Sequence, residues 1–116
     1  MSRVEGSTKN RALSRYAREA LKLLGQLIRI RRLERKLRVA DLAKRVGISR
    51  DMMQRIERGD PRCGIGAVFE AATIVGVPLF DLDINQLNSH VKDQNDKLTL
   101  MPKAVRKAPI VINDDF

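Results

Sequence analysis

From about Ala12 to Lys36, Leu13, Ala17, Ala20, Leu21, Leu24, Leu27 and Ile28 recur at three- and four-residue spacing. That period predicts a helix with an apolar stripe. Arg15, Arg18, Lys22, Arg29 and Arg32 cover its other faces. The stretch has no proline and a single glycine, Gly25, which is expected to divide it into a leading helix and the first helix of a domain. A second helix is expected over Val39–Val46, stopping at Gly47, where a sharp turn with positive φ costs glycine little. Ser49 has the chemistry of an N-cap for a third helix through Arg58, ended by Gly59-Asp60-Pro61. GAVFEAATIV fits a fourth helix, with Ala67, Val68, Ala71, Ala72 and Val75 apolar. Gly76-Val77-Pro78 closes it, and LFDLDINQL opens a short fifth.

Two helices joined by a turn as tight as Gly47 pack only if a small residue lies where they cross. Ala43 is that residue, and Leu42, Ile48, Met53 and Ile56 can then face one core. This is a helix-turn-helix arrangement. From Asn88 the pattern is lost. SHVKDQND reads as a polar linker, and LTLMPKAVRKAPIVINDDF as a segment too short for its own core, either disordered or ordered by a partner. The expected organisation is a flexible start and leading helix over 1–23, a domain over 24–87, and a linker and tail over 88–116.

Composition narrows the class. The 116 residues are 43% hydrophobic but 3% aromatic, with no Trp, so aliphatic side chains must fill the core. That suits small packed helices. The net charge of +9 favours anionic partners, nucleic acid before membrane headgroups. The charge is uneven: residues 1–59 hold 17 Lys/Arg against 6 Asp/Glu, and residues 60–116 hold 6 against 8. A basic half and a near-neutral half suggest two jobs. With Cys63 alone no internal disulfide can form, in keeping with a reducing compartment. No signal peptide and no 18-residue apolar run is visible, so a soluble cytoplasmic protein is expected.

LRVADLAKRVGISRDMMQRIERGD, Leu37 to Asp60, resembles the Cro/repressor (XRE) helix-turn-helix regulators, and VFEAATIVGVPLFDL continues the match. The resemblance covers about Leu24 to Leu87. It implies an all-α, five-helix lambda-repressor-like DNA-binding domain, here with an extra N-terminal helical segment and a C-terminal extended tail. In such a domain the third helix lies in the major groove. The match puts Ser49, Arg50, Asp51, Gln54 and Arg55 on its reading face. Arg50 and Arg55 offer paired donors to guanine, Gln54 can pair with adenine, and Asp51 can accept from cytosine or orient an arginine. The alternative is a solvated face with Asp51 and Arg55 as an i,i+4 ion pair. Arg32 and Glu57 match positions that form an ion pair between the first and third helices. One departure stands out: the family often has a phosphate-binding Gln where this chain has Val39. Arg38, Lys44, Arg45 and Arg58 can supply backbone contacts instead.

The resemblance further implies a homodimer on a palindromic operator in double-stranded DNA. The apolar excess over Val77–Leu87 and the stripe around Tyr16 each offer a dimer face, with packing inside one chain as the alternative. The tail adds a second, shorter resemblance. LMPKAVRK and the terminal DDF are similar to tails of HipB-like antitoxins, which implies a HipA-like kinase toxin as partner and an autoregulated operon. Leu98 and Leu100, or Ile110 and Ile112, can add as a strand to a partner sheet, while Asp114, Asp115 and Phe116 can enter a basic pocket. The alternative is a stand-alone regulator with a disordered tail. An enzyme is not expected: His90 and Cys63 are single and far apart, which makes a poor nucleophile or metal case, and no cofactor is implied. Arg58-Gly59-Asp60 spells an adhesion tripeptide by chance.

Overall fold

The computed structural model describes residues 12–105. The expectations for Ile110, Ile112, Asp114, Asp115 and Phe116 lie outside the described residues, as does the start of the chain. Among the described residues every regular element is helical, and no helix is long and apolar enough to cross a membrane. The elements are α1 (Arg15–Glu34), α2 (Val39–Val46), α3 (Arg50–Glu57), α4 (Ile65–Val75), a 3-10 turn (Leu79–Asp81) and α5 (Ile84–Thr99). They fall into two units, one ending at Asp81 and one beginning at Leu82.

In the first unit α1, α2 and α3 each start for a visible reason. Ser14 caps α1 by accepting from Ala17 N at 3.1 Å, and Ser49 caps α3 by accepting from Met52 N at 3.0 Å. Such a cap satisfies an N–H that the helix itself leaves open. The α2 cap is different. Arg38 has no oxygen to offer, and the Asp41 carboxylate instead reaches back to Arg38 N at 3.1 Å. Gly47 ends α2 with φ of 87°, a conformation that disfavours residues with a Cβ.

Ile28, Leu42, Ala43, Met53, Ile56, Ala71, Ala72, Val75 and Val77 form the buried core. Ile28, Leu42, Met53 and Val75 are its largest fully buried side chains, each contributing about 1.5–3 kcal/mol. Small residues let four short helices meet around so few large ones: Ala43 on α2, and Ala71 and Ala72 on α4. Ile48, expected in the same core, is half-buried against it.

Gly25 does not divide α1. The helix runs unbroken from Arg15 to Glu34 and Gly25 is buried within it. A Cβ there would lie 2.6 Å from the Ile56 carbonyl oxygen and 2.7 Å from that of Glu57. The glycine permits α1 to cross directly against the last turn of α3. The expected boundary between leading helix and domain at residue 24 therefore falls inside one helix.

A second correction concerns the other unit. The short fifth helix and polar linker are replaced by the 3-10 turn and a 16-residue α5. Asp83 caps α5, accepting from Gln86 N at 2.9 Å while Gln86 Oε1 accepts from Asp83 N at 2.9 Å. This reciprocal pair caps the helix, which runs to Thr99 although many of the polar residues that follow (Asn88, Ser89, His90, Asp93, Asn95, Asp96) are weak helix formers. Leu98 is helical and Leu100 follows as the C-cap, so the LTL segment is not an extended strand. The strand-addition role expected for Leu98 and Leu100 has no backbone to support it.

Candidate nucleic-acid interface

The exposed face of α3 gathers the residues expected to read bases. Ser49, Arg50 and Asp51 are exposed, and Gln54 and Arg55 are half-exposed. Their spacing follows from the buried residues between them: Met53 and Ile56 point into the core, so Arg50, Asp51, Gln54 and Arg55 point away. The side chains are not equivalent. Arg50 makes no ion pair or hydrogen bond among the described residues. Arg55 Nε lies 3.3 Å from Asp51 Oδ2, but it is buried and forms no hydrogen bond. Its charge also bears on Asp60 and Cys63 in the connection after α3. Arg55 thus pairs with Asp51 along the helix, while Arg50 has no partner among the described residues.

Behind this face, Arg32 and Glu57 join α1 to α3. Arg32 Nε donates to Glu57 Oε2 at 2.7 Å and Nη2 to Oε1 at 3.0 Å. Nη1 donates to the Leu37 carbonyl at 2.9 Å, which ties in the α1–α2 connection. Both side chains are over nine-tenths buried. Removing one partner from such a pair strands a charge and costs about 3–5 kcal/mol. The pair fixes the angle at which α3 presents its outer face.

A depression of about 280 Å³ opens over this ion pair, lined by Arg29, Arg32, Val39, Gln54, Glu57 and Arg58. It brings together one residue expected at bases, Gln54, and one expected at phosphates, Arg58. Val39 lies in its wall, where the resemblance expects a phosphate-binding Gln. Arg29 is a basic lining residue that the helical stripe assigned only to another face. Its signal was available, because Arg29 lies one turn before Arg32 on the same side of α1.

The remaining basic residues divide. Lys44 and Arg45 are exposed in the last turn of α2, where they also complement the helix dipole. Arg38 is largely exposed, but its guanidinium donates to Asp41 at 3.1 and 3.2 Å. That contact holds the Asp41 carboxyl below its usual range. A phosphate must compete with Asp41 for Arg38, whereas Lys44, Arg45 and Arg58 carry no such bond among the described residues. Two other arginines turn out to be structural. Arg31 donates to the Gly76 carbonyl at 2.7 Å and Arg35 to that of Ile74 at 3.0 Å, satisfying open carbonyls at the end of α4.

At the end of α3, Asp60 accepts from Arg62 Nε and Nη2 at 3.1 and 3.0 Å and from Arg62 N at 2.9 Å. These bonds hold its carboxyl at about 2. Cys63 is half-buried against the core, and burial pushes its thiol above the ordinary range, which makes it a poor nucleophile.

A family model described as a helix-turn-helix domain matches residues 23–83, more than half of the chain. No curated protein and no solved structure matches it. The match contains α2, α3, α4 and the Arg32–Glu57 pair, and it leaves out the first turns of α1 and all of α5. DNA is the partner that such a domain implies. With the two helices, the left-handed turn at Gly47 and the buried clamp in place, the chain belongs to the helix-turn-helix domain family.

Proposed function

We propose that this chain is a sequence-specific DNA-binding transcriptional repressor that inserts α3 into the major groove of double-stranded DNA. The observation that carries the reading is the outward face of α3, polar and basic, clamped from behind by the Arg32–Glu57 pair. Arg50 leads, because it is exposed and has no hydrogen-bond or ion-pair partner among the described residues; Gln54 supports it one turn later. Ser49 combines its capping role with a position at the groove edge. Asp51 and Arg55 act as a pair, in which Asp51 limits the directions open to Arg55. Lys44, Arg45 and Arg58, with Arg29 beside them, neutralise backbone phosphates, and Arg38 joins them by exchanging Asp41 for phosphate. Two copies on a palindromic operator would double each of these contacts. The place of action is the cytoplasm, on the nucleoid.

The direct test is binding to duplex DNA from upstream of the protein's own gene against random duplex of equal length. Tighter binding to the upstream DNA supports the reading. Equal binding to both would remove sequence recognition.

The finer reading, a HipB-like antitoxin that restrains a HipA-type kinase toxin and represses its own operon, is supported by LMPKAVRK and DDF in the tail. It loses the support of a strand at Leu98 and Leu100. Co-purification with the product of the adjacent gene, with and without residues 99–116, separates the two readings. Loss of a complex on truncation, with DNA binding intact, supports the antitoxin. A neighbour unrelated to a kinase leaves the stand-alone regulator.

A further inference from the structure

The 16-residue α5 buries none of its residues, although a solvated helix of this length is marginal in water. It carries an apolar line. Ile84, Leu87, Val91, Gln94 and Leu98 follow one another at alternating spacings of three and four, and Met101 continues the line in the turn that follows. Ile84, Val91, Leu98 and Met101 are each half or more exposed. In heptad terms Ile84, Val91 and Leu98 occupy a positions and Leu87 and Gln94 occupy d positions, with Met101 just past the helix end. From this seam we infer that α5 pairs with α5 of a second copy as a short, parallel, in-register two-stranded coiled coil.

Three observations select a second copy as the occupant. β-Branched residues at the first two a positions, with Leu at the first d position, favour parallel two-stranded pairing. Gln94 puts one amide inside the seam. Opposite an apolar partner that amide would be buried without a hydrogen bond; opposite its own copy the two amides satisfy each other and fix the register. The flanking positions are Asn88, His90, Asn95 and Lys97, so they carry little charge. Asp93, Asp96 and Lys92 lie away from the seam, with Lys92 and Asp96 paired at 3.1 Å within the helix. A partner of opposite charge is not called for, and like-charge repulsion between copies is slight. The whole of α5 lies beyond the residues that the family model matches, so the seam rests on this chain's own residues. The inference deepens the dimer of the reading above, and parallel pairing brings the two Leu82 connections to the same end.

The test needs no DNA. In the full chain with Cys63→Ser, Leu98→Cys is expected to form a disulfide-linked dimer on mild oxidation, because Leu98 faces its own copy. Cross-linking only in a mixture of Ile84→Cys and Leu98→Cys chains would overturn the parallel arrangement. By sedimentation equilibrium the unmodified chain should be dimeric. Leu87→Glu and Val91→Glu should each weaken the dimer roughly a hundredfold or more, because each buries an unpaired charge. Ser89→Glu, on the opposite face of α5, should leave it intact. A monomeric wild type overturns the inference, and so does a dimer that withstands both seam changes or is broken instead by Leu27→Asp on α1. A monomer that still prefers one DNA sequence would remove the coiled coil and leave the DNA reading standing; a dimer without sequence preference would do the reverse.

Discussion

Arg50 and Arg38 carry the same charge and should respond differently to truncation. Arg50 opens α3, exposed and without a partner among the described residues, where its guanidinium can meet a base edge. Arg50→Ala is expected to cost roughly 1–3 kcal/mol of discrimination between the preferred sequence and its variants, with little change on random DNA. Arg38 sits before α2 and is already bonded to Asp41. Arg38→Ala should weaken specific and random duplexes alike; competition titrations against both DNAs separate the two outcomes. Glu57 acts only through Arg32. Glu57→Gln is expected to lower the denaturant midpoint by the equivalent of about 3 kcal/mol or more, because the buried guanidinium loses its counter-charge. Asp60 gives a pH signature. Its carboxyl lies at about 2 in the folded chain, below its ordinary value, because Arg62 holds the charged form. The stability it contributes is complete above the ordinary carboxylate range and is lost as pH falls toward about 2. Asp60→Asn should flatten the stability profile over that acid window and lower stability near neutrality, where the ionised carboxylate contributes in full.

At the scale of elements, Gly25 and Gly47 separate what a sequence displays from what only packing reveals. Gly47 was readable, because it follows an amphipathic run and precedes a capping Ser, and the turn between them needs positive φ. Gly25 was not. Its neighbours gave a helical stripe, but the stripe could not show that the Ile56 and Glu57 carbonyls would press against that point, 31 and 32 residues away. Gly25→Ala is expected to destabilise the fold by roughly 3 kcal/mol, since backbone must move to admit the methyl group. Gly47→Ala, which meets open space and only a conformational penalty, should cost about 1 kcal/mol. Thermal melts followed by circular dichroism would rank the two. The Arg32–Glu57 pair came from resemblance rather than pattern, since nothing local links an arginine on α1 to a glutamate on α3. The structural roles of Arg31 and Arg35 leave no trace in the sequence, because their partners are backbone carbonyls at the end of α4. The length of α5 is hard to see in the sequence because its polar composition suits a linker equally well, and only the three- and four-residue spacing of a few apolar residues marks the helix.

For the whole molecule, the lopsided charge acquires a structural basis. The basic half coincides with α1, α2 and α3, which carry the proposed reading face and its phosphate contacts. Two copies that each neutralise several phosphates should lose roughly a thousandfold in affinity between about 50 and 200 mM salt. A flat salt profile would mean that the basic surface faces something other than DNA. The near-neutral half contains α5, whose seam suits assembly rather than DNA. Recognition and assembly are thus assigned to separate stretches of a short chain. The claim on which the rest depends is that α3 reads base sequence. In vitro selection from a random duplex library tests it most directly. The full chain is expected to enrich a motif with two-fold symmetry, and Arg50→Ala to lose preference at one position of each half-site while keeping the others. Enrichment of no motif, or of the same motif with undiminished preference by Arg50→Ala, would contradict the account.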